Sequence, residues 1–103
     1  ILSGGQNIYP QDIETVAAQH PAVFDVAVIG LPSTKWGETP VALVVLRDGS
    51  DTDPLMIKEW VNERVGKQQR LADVIAVDAL PRNPNGKILK RELREEYKER
   101  HYG

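Results

Sequence analysis

Two short runs of β-branched and aliphatic residues dominate the first half of the chain and restrict what it can fold into. The runs cover residues 22–29 and 40–46, and glycine, proline and aspartate bound them. Runs of this length and composition predict buried strands, which we interpret as an antiparallel pair. The intervening residues, 31–39, include a proline, a glycine and several polar side chains. We therefore expect a long hairpin connection there rather than a tight two-residue turn.

Amphipathic segments flank this pair of strands. Apolar residues recur at helical spacing in 10–19 and 53–66, and both segments have a proline where a first helical position tolerates one. A short third strand is predicted at 74–77, and an apolar residue every four positions over 89–97 predicts a closing helix. With 103 residues there is room for one domain. We expect a small α+β, two-layer domain with a mostly antiparallel three-stranded sheet, an N-terminal turn or hairpin, and about three covering helices.

Composition and charge exclude several classes of function. The net charge is −2, and the mildly basic segment 81–103 holds seven Lys and Arg against four Asp and Glu, so we expect no nucleic-acid partner. No apolar run approaches the length of a membrane span, the first residues do not resemble a signal peptide, and cysteine is absent. These features lead us to expect a cytoplasmic protein without a membrane span. His20 and His101 lack metal-ligand spacing, so no metal site is predicted.

Lys87 is the most informative candidate for chemistry. It follows an irregular loop, 80–86, that contains two prolines and a glycine, and it precedes the predicted last helix. An ammonium in that position could be held out toward an anion in a partner site, although an ordinary exposed lysine has the same signature. The pair Gly4-Gly5 is similarly open to two interpretations, a simple turn or a place where a ligand approaches the backbone closely. Trp36, in a polar loop, is a candidate for an interface.

Several segments taken together resemble one enzyme superfamily, the adenylate-forming enzymes. This superfamily includes acyl-CoA synthetases, luciferases and peptide-synthetase adenylation domains. The resemblance extends from about Ile1 to Arg94. Its segments are, in order, Ser3-Gly4-Gly5-Gln6-Asn7-Ile8-Tyr9-Pro10, Asp12-Ile13-Glu14, His20-Pro21-Ala22-Val23, Trp36-Gly37-Glu38, Leu80-Pro81-Arg82, and Asn85-Gly86-Lys87-Ile88-Leu89-Lys90-Arg91-Glu92-Leu93.

The resemblance implies that 1–103 is the mobile C-terminal lid of an ATP-dependent acyl-CoA synthetase, with the hinge and the large N-terminal adenylation domain outside this chain. Such an enzyme converts a carboxylic acid to an acyl adenylate with ATP and Mg²⁺ and transfers the acyl group to CoA. The lid alone is expected to be inactive. Two alternatives stay open, the lid of another adenylate-forming enzyme such as a peptide-synthetase domain, and a stand-alone module of the same fold that binds a protein or carrier domain.

The resemblance also assigns roles to individual residues. Lys87, on the loop with Gly86, would lie between the carboxylate and ATP during adenylation. Gly5 would border the pantetheine tunnel in a second orientation of the lid, with Gly4, Gln6 and Asn7 beside it. Asn7 stands where some relatives have arginine, and Gln68-Gln69-Arg70-Leu71 departs from a Tyr-Lys-x-Pro pattern found in many of them.

Overall fold

The central feature of the computed structural model, which describes residues 1–103, is a five-stranded sheet that three α-helices cover. The strands are β1 (Leu2–Ser3), β2 (Gln6–Asn7), β3 (Val23–Ser33), β4 (Gly37–Leu46) and β5 (Asp73–Ala76). The helices are α1 (Pro10–Ala17), α2 (Pro54–Asn62) and α3 (Lys90–Tyr97), and a 3₁₀ turn covers Lys67–Gln69. None of the helices is both long enough and apolar enough to cross a bilayer.

Strand β4 organises the sheet. It pairs with β3 in antiparallel fashion along its whole length, and its other edge pairs with β1 at Gly37 and with β5 over 41–44. The β5 pairing is parallel, whereas all the other strand pairings are antiparallel. The predicted α+β class, the mostly antiparallel sheet, the N-terminal hairpin and the three helices are thus confirmed.

The connection between β3 and β4 is much shorter than the long loop we expected over 31–39. The strands continue to Ser33 and resume at Gly37, which leaves three residues between them. The carbonyls of Pro32 and Pro40 accept hydrogen bonds from Tyr102 and Ala72, on the sides away from the β3–β4 ladder. The nitrogen of a strand residue points the same way as its carbonyl, so neither proline removes a bond from this ladder. The prolines that suggested a loop are therefore compatible with a strand.

Both faces of the β3–β4 pair are buried. Alternate residues enter one cluster with α1, α2 and β5, which includes Val26, Val28, Ala42, Val44, Ile13, Ile57, Val61 and Val74. The residues between them enter a second cluster with α3 and the segment before it, which includes Ala27, Ile29, Leu31, Val41, Leu43, Leu80 and Leu93. Since successive side chains of a strand point to opposite faces, the clusters lie on opposite sides of the sheet. Helix α3 therefore adds a layer to the two that the sequence led us to expect.

The helix starts follow the sequence signals. The Asp53 side chain accepts a hydrogen bond from the Met56 N–H at 2.9 Å, and Pro54 takes the first helical position. Helix α1 begins at Pro10 in the same way but has no side-chain cap. Residues beyond α3 return to the sheet, where Tyr102 forms a parallel bridge with Ser33. The last residues of the chain thus lie against the edge of β3.

Candidate functional site

The segment that carries Lys87 is a closed, hydrogen-bonded loop. Arg82 and Ile88 form an antiparallel bridge at its base, and the Asn83 N–H donates to the Lys87 carbonyl at 2.8 Å. The Asn83 Oδ1 atom accepts hydrogen bonds from the backbone N–H groups of Asn85 and Lys87, both at 2.9 Å. Gly86 has a φ of +84°, a conformation that favours glycine. The backbone N–H and carbonyl groups of Lys87 both form hydrogen bonds, so its backbone is held in place.

The side chain of Lys87 is exposed and forms no ion pair. Lys90, three residues further on at the start of α3, behaves differently because its Nζ lies 2.7 Å from Glu14 Oε2. That carboxylate oxygen also accepts a hydrogen bond from the Val28 N–H at 2.8 Å, so Lys90 joins α3 to α1 and β3. Of these two lysines, Lys90 has a structural partner, and Lys87 has an ammonium available for an external anion.

Lys87 borders an open groove between its loop and α1. Pro10, Gln11, Glu14, Arg82, Gly86, Ile88 and Lys90 complete the lining of this groove. Two of the three cationic side chains in this groove are paired, Lys90 with Glu14 and Arg82 with Asp25, so the unpaired charge is that of Lys87. Its chemistry favours an anionic group bound near Lys87.

Gly4 and Gly5 form the two-residue turn between β1 and β2. Their φ angles are +57° and +83°, so both are in the left-handed region that this kind of hairpin requires. The Gly4 N–H donates to the Trp36 carbonyl at 2.9 Å, and a Cβ atom on Gly4 would lie 2.7 Å from Trp36 Cε3. A Cβ atom on Gly5 would meet nothing within 4 Å. Gly4 thus serves the turn and its packing, whereas Gly5 has open space on its outer side.

A second cavity, of about 640 Å³, lies beside this hairpin. Its lining comprises Ser3, Gly4, Gln6, Trp36, Thr39, Pro40, Lys67, Gln68, Arg70, Ala72, Tyr102 and Gly103. Trp36 is 46% exposed, and Lys35 Nζ lies 4.9 Å from the centre of its ring system. The predicted residues Gly5 and Asn7 do not line the cavity, although both belong to the adjacent hairpin and are exposed.

Three residues that shape this cavity, Lys67, Arg70 and Tyr102, were not among the predicted site residues. They come from the 3₁₀ turn, the segment after it and the end of the chain, and only the fold brings them together. Burial raises the pKa of Tyr102 above its ordinary value, the hydrogen bond to Asp73 raises it further, and Arg100 lowers it. The hydroxyl accordingly stays protonated at neutral pH and donates to Asp73 Oδ2 at 2.7 Å. The only sequence signal nearby was the departure of residues 68–71, which include Arg70, from the Tyr-Lys-x-Pro pattern.

The predicted site residues form two separate groups. Gly86 and Lys87 line the groove, Gly4 and Gln6 line the cavity, and the two linings share no residue. The chain contains no group of three or more acidic, histidine or cysteine side chains that could hold a metal ion. The Mg²⁺ implied by the resemblance therefore has no such ligand set in this chain.

Comparison with known proteins identifies the domain. Residues 12–87 match the family described as the AMP-binding enzyme C-terminal domain. The chain belongs to this family of C-terminal domains of adenylate-forming enzymes.

Individual relatives agree with this assignment. The long-chain-fatty-acid–CoA ligase FadD13 of Mycobacterium tuberculosis is 47% identical over 97 residues, which are 94% of this chain and 19% of that protein. The 2-succinylbenzoate–CoA ligase of Geobacillus kaustophilus is 39% identical over 94 residues, 91% of this chain and 19% of that protein. The crystal structure of apo MatB from Rhodopseudomonas palustris superposes with a TM-score of 0.91 at 38% identity, over 96% of this chain and 20% of that one. This chain thus spans about a fifth of the length of these relatives.

The contact between Gly4 and Trp36 predicts that two adjacent substitutions have different effects. Gly4→Ala and Gly5→Ala should each lower the free energy of unfolding by about 1 to 2 kcal/mol, because alanine is strained at positive φ. Gly4→Ala should lose more, because its Cβ also collides with the Trp36 ring. Urea denaturation measures the difference, and adding Trp36→Leu should abolish it. Equal losses for the two glycines would contradict the packing described.

Proposed function

We propose that this chain is the mobile lid, residues 1–103, of an ATP-dependent acyl-CoA synthetase. The enzyme would join a carboxylic acid to AMP with release of pyrophosphate and then transfer the acyl group to CoA. Membership of the C-terminal domain family supports this proposal, as do relatives that are themselves CoA ligases. The observation that carries it is Lys87, whose backbone is fixed while its ammonium is free.

Lys87 would act by electrostatic stabilisation. A carboxylate oxygen attacks the α-phosphorus of ATP, the bond to pyrophosphate breaks, and the leaving group keeps the bonding electrons. No proton has to move in this step, but two anions must approach each other. A lysine ammonium held between them offsets their repulsion and stabilises the charge that develops in the transition state. The loop's own hydrogen bonds hold the backbone of Lys87 in place, so only its side chain has to become ordered when the anions bind.

The second cavity and the Gly4-Gly5 turn would serve CoA in a second orientation of the lid. CoA is a polyanion with an adenine ring, and Trp36, Lys67 and Arg70 offer an aromatic face and two cations beside the hairpin. The open side of Gly5 would leave room for the pantetheine arm. The groove and the cavity share no residue, so a rotation of the lid could present each in its own half-reaction.

The first test concerns Lys87 in the full-length enzyme, meaning the longer chain in which we propose that this domain follows an adenylation domain. Lys87→Ala should slow adenylation by on the order of 10² to 10³, the usual effect of removing one pre-placed transition-state donor. Thioester formation from supplied acyl adenylate should continue, since Lys87 would lie away from that chemistry. Pyrophosphate exchange measures the first half-reaction, and CoA transfer measures the second.

Lys98→Ala is the matched control for Lys87→Ala, because it removes an exposed lysine that is already paired with Glu95 and lines neither the groove nor the cavity. It should leave adenylation near its normal rate. Near-normal adenylation by Lys87→Ala, or an equal loss of both half-reactions, would refute the role proposed for Lys87.

The second test concerns Gly5. Gly5→Leu should slow thioester formation by on the order of 10²-fold, the effect expected when a reactant is displaced by about an ångström. Adenylation should be largely unchanged. Gly49→Leu is the matched control, because Gly49 also has a positive φ, of +77°, and no atom near its Cβ position, but it lies in a different turn. If both variants impair CoA transfer equally, the loss reflects backbone strain and the CoA role of Gly5 is wrong.

A further inference from the structure

Arg82 links the loop that carries Lys87 to the central sheet. One guanidinium nitrogen, Nη1, donates to the Gly86 carbonyl at 2.6 Å, and the other, Nη2, lies 2.6 Å from Asp25 Oδ2 on β3. Gly86 immediately precedes Lys87, so this contact holds the peptide from which the lysine side chain extends. We propose that Arg82, held by Asp25, is a positioning residue that sets where Lys87 stands during adenylation. This inference rests on the function proposed above.

The other hydrogen bonds of the loop do not perform this task. Those of Asn83 connect residues within 83–87 and so determine the shape of the turn. The direction in which the turn projects depends on what joins it to the rest of the domain. The guanidinium of Arg82 supplies that connection, because it binds the Gly86 carbonyl in the turn and Asp25 on β3.

Asp25 is itself held in place. Its second carboxylate oxygen, Oδ1, accepts a hydrogen bond from the Val26 N–H at 3.0 Å. It also follows an irregularity in the β3–β4 register, where Phe24 is an extra residue between Val23 and Asp25. Bulges of this kind re-aim side chains and are common beside active sites. The carboxylate therefore gives Arg82 a fixed anchor on the sheet.

The contact between Arg82 and Asp25 is better suited to positioning than to stability. The two side chains are 44% and 24% exposed, and ion pairs of this exposure contribute little to folding. Geometry matters far more to catalysis, since a displacement of about 1 Å at a reacting group can slow a reaction about 100-fold. Loss of Arg82 should therefore change the rate of adenylation much more than the free energy of unfolding.

Kinetics of single and double variants in the full-length enzyme test this inference. Arg82→Ala and Asp25→Ala should each slow adenylation about 10- to 100-fold, mainly in kcat, while CoA transfer from supplied acyl adenylate continues. Arg82→Lys should fall between Arg82→Ala and the unmodified enzyme, because one ammonium cannot span both contacts as a guanidinium fork does. Arg91→Ala is the matched control, since Arg91 is an exposed arginine nearby that forms no ion pair.

The double variant with Lys87→Ala separates positioning from direct action. If Arg82 works through Lys87, Arg82→Ala should cause no further loss of adenylation once Lys87 is replaced. A further loss, or normal adenylation by a folded Asp25→Ala enzyme, would show that Arg82 acts on the substrate or the fold and would overturn the inference. Asp25→Asn, which keeps the acceptor for Val26, provides the same comparison if Asp25→Ala does not fold.

Hydrogen exchange gives a readout that does not depend on activity. In the full-length enzyme, Arg82→Ala should accelerate exchange of the backbone amides of residues 85–88 about tenfold or more, because the turn loses its contact with β3. Unchanged protection would contradict the positioning role. If Lys87→Ala proves harmless, the proposed function fails, and the exchange measurement still decides whether Arg82 holds the loop.

Discussion

The pairing of β3 with β4 is the constraint on which the rest of the structure depends. Both strands are apolar on both faces, so each face needs its own cover. Helices α1 and α2 cover one face and α3 covers the other, and the chain must therefore cross an edge of the sheet before α3 begins. The Lys87 loop follows that crossing, since Leu80 already lies in the cluster that α3 covers. Arg82 binds this short irregular segment to Asp25 on β3, and the segment therefore has a defined direction.

The separation of the two predicted sites follows from the same arrangement. The groove beside Lys87 lies next to α1 and the start of α3. The hairpin that contains Gly5 pairs with the edge of β4 that faces away from β3. The linings of the groove and the cavity share no residue, so the domain would present a different part of its surface when each is used. A lid that rotates as a rigid body could use each in turn, which is the behaviour proposed here.

Local sequence patterns predicted most of the secondary structure but few of the contacts that position the candidate site. The Asp53-Pro54 helix start and the closing helix could be predicted because they depend on neighbouring residues. The predicted long connection between β3 and β4 was wrong. A proline removes a ladder hydrogen bond only if its nitrogen points toward the neighbouring strand, and the sequence does not show this direction. The Arg82–Asp25 contact joins residues 57 positions apart, so no local pattern could reveal it. Lys87 itself was found through the order and spacing of several segments together.

Distance measurements test most directly whether one rigid domain presents two different edges to one reacting centre. Residues 1–103 contain no cysteine, so a single probe can be placed at position 87 or at position 6 of the full-length enzyme once any cysteines of the adenylation domain have been replaced. With ATP and a carboxylic acid bound, the probe at 87 should lie close to the adenylate pocket and the probe at 6 far from it. With acyl adenylate and CoA the order should reverse. If the same probe is the closer one in both states, the two-edge account is wrong.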